Sequence, residues 1–248
     1  MKAMILAAGL GTRLRPLTDD RPKALVEVGG RTMLELALIR LRDFGICEVI
    51  INTHHFANKV TDYLRLHQNF GMQIEISHEE ILLDTGGGIK RAAHFFLGSD
   101  EPFLVHNVDV ISTIDFNQMI QFHLEHNALA TLAVQDRPTS RYLLFDENDQ
   151  LCGRRAGLAG ESELVRPVSE PVALAFSGIH VLSPRIFSLL NEDGVFSVIP
   201  AYLRLAAQKN PLFAFRADQY YWRDLGRPEH IIQVERDIAE GVIQFPIH

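Results

Sequence analysis

Residues 2–18 read Lys-Ala-Met-Ile-Leu-Ala-Ala-Gly-Leu-Gly-Thr-Arg-Leu-Arg-Pro-Leu-Thr, an apolar run that empties into small residues and then into arginines. Lys2–Leu6 has the length and apolarity of a buried strand, and Ala7-Ala8-Gly9 behind it suits a loop that exposes its backbone. Working outward, Thr32-Met-Leu-Glu35 is a capping-box pattern. Leu34, Ala37, Leu38 and Leu41 then recur at helical spacing until Gly45. Glu48–Thr53 is the next β-branched run, followed by a helical segment over 59–66, a strand over 73–77, a helix over 88–96 and a third buried strand over 102–107. A helix over 115–126, opened by Asp115 and Gln118, completes the first half. This alternation predicts βαβ units, hence a parallel sheet with helices on both faces and right-handed crossovers.

The second half is richer in β patterns, with strands expected over 128–135, 142–146, 173–182 and 212–217. The charged, glycine-bearing stretch 146–171 reads as a hairpin plus a mobile loop. Helices are expected over 184–190 and 198–208, and a last one begins at Pro228, where proline suits the first turn, and ends before Gly241. No linker, repeat or low-complexity tract divides the chain, so one continuous domain over 1–248 is expected.

Composition limits the function classes. The 248 residues are 47% hydrophobic with a formal net charge of −7, which excludes a disordered chain and argues against a general nucleic-acid binder. No apolar run approaches the ~20 residues needed to cross a bilayer. The opening apolar stretch is too short for a signal peptide. Two cysteines, Cys47 and Cys152, cannot build a disulfide framework. The expectation is a protein of the cytoplasm with no membrane and no nucleic-acid partner.

In an open parallel sheet, ligands bind beyond the carboxyl ends of the strands. The loop at the first such end lacks the third glycine of a dinucleotide fingerprint, because Leu14 stands there, and it is not a Walker A loop. It is a glycine loop followed by Arg13, Arg15, Arg21 and Lys23, four cations within eleven residues of an acidic chain. That combination suits a polyphosphate, and it disfavours a nicotinamide-dependent oxidoreductase. The histidine pairs His54-His55 and His123/His126 lack the geometry or partners of a transition-metal site. Phe95-Phe96 and Phe213/Phe215 read as core.

The motif Leu6-Ala-Ala-Gly-Leu-Gly-Thr-Arg-Leu-Arg-Pro-Leu-Thr18 followed by Arg21-Pro-Lys-Ala-Leu25 resembles the signature of the sugar-1-phosphate nucleotidylyltransferases. The likeness continues through Leu83-Asp-Thr-Gly-Gly-Gly88, Asn107-Val-Asp109, Phe176-Ser-Gly-Ile179 and Trp222-Arg-Asp-Leu-Gly226, and so spans nearly the whole chain. It is similar above all to short bacterial forms, such as the N-acetylmuramate-1-phosphate uridylyltransferases and the mannose- or heptose-phosphate guanylyltransferase-like enzymes. The resemblance implies a single Rossmann-like three-layer α/β fold with a mostly parallel mixed sheet, of the nucleotide-diphospho-sugar transferase type, with a nucleotide-binding half at 1–127 and a sugar-binding half at 128–248. It also implies transfer of a nucleotidyl group from an NTP, UTP favoured, to a sugar 1-phosphate, releasing pyrophosphate and forming an NDP-sugar for cell-wall recycling or surface-glycan assembly. GTP or another NTP, or a non-catalytic nucleotide-sugar-binding relative, are the alternatives. With no C-terminal extension for a β-helical acyltransferase domain, a bifunctional acetylating enzyme is not expected.

Carried over by motif, Arg13, Lys23 and Asp109 are the catalytic residues, and Asp109 with Asp224 would hold Mg²⁺. Nucleotide contacts fall to Leu6, Ala7, Ala8, Gly9, Gly11, Thr12, Arg13, Lys23, Thr85, Gly86, Gly87 and Asn107, with Glu79 or Glu80 facing base or ribose. Sugar contacts fall to Gly178 and, as replacements for a missing Glu-Lys-Pro motif, to Arg141-Tyr142, Arg154-Arg155 or Glu170. Two further departures lie on the acceptor side: Val108 stands where relatives carry glycine, and Arg227 where they carry threonine. Valine at 108 either crowds the sugar or points into the core.

Overall fold

The computed structural model describes residues 1–157 and 159–244. They cluster as two compact units, one formed by residues 1–84, 105–114 and 220 onward, the other by 85–104 and 115–219.

In the first unit, the Lys2–Leu6 strand pairs in parallel with Glu48–Thr53, which pairs in parallel with Gln73–His78. The end of the strand Phe103–Asn107, from Val105 onward, belongs to the same unit, and this strand is the other neighbour of Lys2–Leu6 in the sheet order. Ala3, Met4, Ile5, Val49, Ile50 and Ile51 are all buried, the continuous apolar pattern of parallel strands covered on both faces. Thr32 caps the Met33–Asp43 helix by accepting the Glu35 N–H at 3.1 Å. The Glu35 carboxylate accepts from the Tyr63 hydroxyl at 3.0 Å, tying this helix to Ala57–Leu66. Gly45, at φ 74°, ends it.

In the second unit the pairing changes. Val172–Leu182 runs antiparallel between Ala130–Gln135 and Arg141–Phe145, and Leu212–Arg216 joins Ala130–Gln135 in parallel. The class is therefore the mixed α/β one expected from the sequence. Within 146–171, Leu151–Ala156 and Ser162–Leu164 form the expected hairpin, and Leu158 lies outside the described residues. The expected helix over 184–190 is a 3-10 turn, Pro184–Ser188. No helix among the described residues is long and apolar enough to cross a membrane.

The largest difference from the sequence reading is at Asp84–Arg91, where helix begins four residues ahead of the expected 88–96 span and takes in the glycine run, with Ala93–Phe96 as a separate short helix. Three glycines cost a helix roughly 1 kcal/mol each relative to alanine, so the conformation needs outside support. The Gly86 and Gly87 N–H groups donate to the Phe196 carbonyl at 2.9 and 3.1 Å. The Val198 N–H donates in return to Thr85 Oγ1 at 3.0 Å. A Cβ at Gly86 would lie 2.3 Å from the Phe196 ring and 2.9 Å from its carbonyl oxygen.

Two buried histidines tie stability to pH. His106 Nδ1 donates to the Asn107 carbonyl at 2.8 Å and His123 Nδ1 meets Thr131 Oγ1 at 2.9 Å. Burial lowers both from 6.5 to about 4. Both stay neutral in the fold, while the unfolded chain takes up protons as pH drops through 6.5. Their contribution is therefore complete above that value and shrinks steadily toward pH 4. Urea denaturation should register a loss of roughly 2 kcal/mol per histidine between pH 7 and pH 5. Gly86 supplies a test of sign: despite alanine's better helix propensity, Gly86→Ala should lower the unfolding free energy by about 1–2 kcal/mol, because the clash outweighs the propensity. A stabilised variant in the same denaturation assay would show that the glycine is not there for Phe196.

Candidate active site

The site is built on the opening loop of the first unit. Ala7 and Ala8 are buried, whereas Gly9 and Leu10 are exposed. Gly11 adopts φ 64°, and a Cβ there would sit 3.0 Å from both Lys23 Cβ and Thr18 Cγ2, so only glycine meets both demands. Thr18 Oγ1 donates to the Gly11 carbonyl at 2.9 Å, and buried Leu14 anchors the Thr12–Leu14 turn. A cavity of about 280 Å³ opens beside this loop, lined by Leu10, Thr12, Arg15, Thr18, Asp19 and His55.

The four cations divide into two pairs. Arg15 reaches Asp19 at 3.4 Å and Arg21 reaches Asp20 at 2.9 Å, both among exposed side chains. Lys23 instead pairs with Asp109 Oδ2 where both side chains are mostly buried, at 12% and 14% exposure. Arg13 turns toward Gly226: its Nη2 and Asp224 Oδ1 each lie 2.7 Å from the position a Cβ on that glycine would occupy.

Asp109 follows the Phe103–Asn107 strand, and the Val108 N–H donates to the Leu6 carbonyl at 3.1 Å. Val108 is 3% exposed, so of the two readings of this departure the core placement holds. Asp224 arrives through two three-residue strands, Val110–Ser112 and Trp222–Asp224, paired antiparallel with Val110 opposite Asp224. The Leu225 N–H donates to the Asp109 carbonyl at 2.7 Å, which puts the two aspartates at adjoining positions. Asp224 Oδ1 accepts the Gly226 N–H at 2.5 Å.

The Pro228–Ala239 helix braces this segment. His230 Nδ1 donates to the Asp224 carbonyl at 2.6 Å. Asp237 accepts from the Tyr221 hydroxyl at 2.5 Å and from Gln233 at 2.8 Å, with Arg223 at 3.5 Å. Donation from Tyr221 holds the Asp237 carboxyl below the usual range, while burial and then the Asp237 contact push Tyr221 up to about 12.

The remaining predicted residues spread more widely. The Ala7 N–H is taken by Asn52 Oδ1 at 2.7 Å. Glu79 is buried, its carboxylate accepting from Asn52 and from the Leu83 N–H. Asn107 is half-buried at its strand end. In the second unit, Thr85, Gly86 and Gly87 face Phe196 and Val198 as described above. Tyr142 is buried, with Ala175 as its register partner and the Arg155 guanidinium 5.5 Å from its ring. Arg141 and Glu170 are exposed, as is Arg154, which pairs with Glu163 at 2.6 Å. Gly178, at φ 74°, marks a bulge between Phe176 and His180. His54 Nδ1 meets the Glu79 carbonyl and His126 Nδ1 the Phe122 carbonyl, each at 2.8 Å.

Sequence reasoning missed Asn52, His230 and Asp237. Asn52 carried a signal, a lone amide inside the apolar run Glu48–Thr53; Asp237, on an amphipathic helix, carried none.

Residues 2–241 match the family model described as nucleotidyl transferase. The N-acetylmuramate alpha-1-phosphate uridylyltransferase of Caulobacter vibrioides is 35% identical, the alignment covering 96% of this chain and 97% of that one. The mannose-1-phosphate guanyltransferase of Yarrowia lipolytica is 30% identical, over 94% of this chain but 62% of its own length. A solved structure of HddC from Yersinia pseudotuberculosis, complexed with GMP-PN, superposes with a TM-score of 0.76 at 23% identity, covering 96% of this chain and 99% of that one; at that identity the likeness is one of fold. With a match to the family model from the opening strand to the end of the last helix, the chain belongs to the nucleotidyl transferase family.

Proposed function

We propose that this chain transfers a uridylyl group from UTP to a sugar 1-phosphate, releasing pyrophosphate and forming a UDP-sugar. One observation carries the reading: Asp109 and Asp224 adjoin across a strand pair, with Lys23 ion-paired to the first and Arg13 beside the second. The nucleophile would be a phosphate oxygen, already anionic at neutral pH because its second pKa is ~6, so no general base is needed. What remains is positioning and charge neutralisation. Arg13 would hold the departing pyrophosphate and Lys23 would bridge the two substrates' phosphates.

The donor set fits Mg²⁺. Two hard carboxylate oxygens are what this ion takes from a protein when substrate phosphates supply the rest, and no cluster of three or more His, Cys, Asp or Glu suited to a metal occurs among the described residues. When bound by Asp109 and Asp224, the ion would withdraw charge from the α-phosphate.

The loop's own sterics support a phosphate there. A Cβ on Gly9 would meet nothing within 4 Å. Among the described residues, the amides of Gly9, Leu10 and Gly11 donate to no other group, leaving donors for a polyanion. Arg141, Tyr142, Glu170 and Gly178 are proposed for the sugar. UTP is favoured by the 35% identical uridylyltransferase. The guanyltransferase relatives support GTP as the second reading. A cytoplasmic role in cell-wall recycling or surface-glycan assembly is the setting proposed for the product.

Pyrophosphate release, measured with each NTP against a panel of sugar 1-phosphates, should be strongest with UTP, vanish on chelation and return with Mg²⁺. Asp109→Asn or Asp224→Asn should each lower turnover at least ~100-fold, through loss of charge at the metal; near-normal rates in both would remove the metal assignment. For Gly9→Ala, stability should change by no more than ~0.5 kcal/mol, while the KM for UTP rises about tenfold through displacement of the phosphates. A melting shift with unchanged KM would mark Gly9 as a folding residue.

A further inference from the structure

Behind the opening loop runs a hydrogen-bond chain with a fixed direction. The Ala7 N–H donates to Asn52 Oδ1 at 2.7 Å, the Asn52 amide donates to Glu79 Oε1 at 2.8 Å, and the Leu83 N–H donates to Glu79 Oε2 at 2.9 Å. Asn52 and Glu79 are 3% and 1% exposed, so water does not readily replace a lost partner. Register places Asn52 opposite Leu6 on one side and Ser77 on the other. The relay thus joins the main chain at two strand ends across the strand between them.

Both terminal groups of the relay are backbone N–H donors and can play no other role. Asn52 must therefore turn its oxygen to Ala7 and its NH₂ to Glu79, and the group at 79 must accept twice. A carboxylate does this. A glutamine of equal size would aim an NH₂ at one of two donors and leave a buried polar group unpaired. Burying a carboxylate is costly, and a purely structural bridge between two strands has simpler solutions in apolar packing. The Glu79 backbone is also fixed, its N–H donating to the Thr53 carbonyl and its carbonyl meeting His54 Nδ1, both at 2.8 Å.

We propose that Asn52 and Glu79 are positioning residues for the nucleotide: their relay sets where the main chain stands at Ala7, immediately ahead of the Gly9–Gly11 amides, relative to the segment at Leu83. The proposal rests on the assignment of the opening loop to the triphosphate.

The polarity argument dictates the test. Glu79→Gln confronts two donors with a donor. Asn52→Asp sets a second carboxylate against the first. The double variant N52D/E79Q restores every pairing in mirror order: the carboxylate now at position 52 accepts from the Ala7 N–H and from the amide NH₂ now at position 79, and the amide oxygen at 79 accepts from the Leu83 N–H. UTP binding, measured by calorimetry, should weaken about tenfold or more in each single variant and return to within about threefold of wild type in the double variant. In turnover assays, the KM for UTP should rise in the single variants while that for the sugar 1-phosphate holds. If N52D does not fold, E79Q and the double variant decide the matter. Single variants that bind UTP like wild type overturn the relay, as does a folded double variant as weak as the singles. A wild type that binds UTP but releases no pyrophosphate defeats the proposed activity alone, since the binding series still reads the relay.

Discussion

Everything at this site depends on two aspartates being held together against their mutual repulsion. Asp109 and Asp224 are more than a hundred residues apart in sequence, and closing a loop of that length costs conformational entropy of a few kcal/mol. Their side chains do nothing to recover it; as like charges they oppose the approach. The backbone brings them together instead, through the antiparallel pairing of Val110–Ser112 with Trp222–Asp224 and the Leu225-to-Asp109 hydrogen bond. Main-chain pairing is indifferent to side-chain charge, so a strand ladder can place carboxylates where their own electrostatics would not.

So short a ladder needs bracing, and the bracing comes from the Pro228–Ala239 helix. Asp237 gathers Tyr221, Gln233 and Arg223, and His230 holds the Asp224 carbonyl. The Gly29 N–H donates to Glu235 at 3.2 Å, which fixes the same helix to the turn between Glu27–Val28 and Arg31–Thr32. The cations follow a similar division of roles. Arg15 and Arg21 direct their charge to exposed neighbours, where ion pairs contribute little. Lys23 and Arg13 lie against the two half-buried carboxylates, where field lines are less screened.

Much of this was legible in the sequence, and the gaps have physical causes. Long apolar or periodic runs gave nearly every element of the first half, because burial of Ile5, Ile50 or Leu38 leaves a pattern over several residues. The Val110–Ser112 and Trp222–Asp224 strands, three residues each, were invisible, since a period of two cannot be read from three positions; they are the elements that unite the site. The helix expected from 88 begins at Asp84 instead, because Gly86 and Gly87 are supported by a carbonyl at Phe196, more than a hundred residues away. Arg13, Lys23, Asp109 and Asp224 are proposed through motif resemblance, not periodicity. Asn52 and Asp237 act through partners distant in sequence, and no local window contains the reason for them.

The glycines separate what the fold requires from what a ligand requires. Gly11 is demanded by a left-handed backbone and by Lys23 and Thr18 pressed against it. Gly86 is demanded by the Phe196 ring, and Gly226 by Arg13 and Asp224. Each would clash with its own chain if it carried a side chain. Gly9 would not: open space surrounds it, and the amides beside it find no partner within the described residues. Under the proposed function, that open space is room for a group packed from outside. That outside group must approach the backbone closely and accept hydrogen bonds, and it must tolerate Arg13 and Lys23 nearby. A triphosphate satisfies all three conditions.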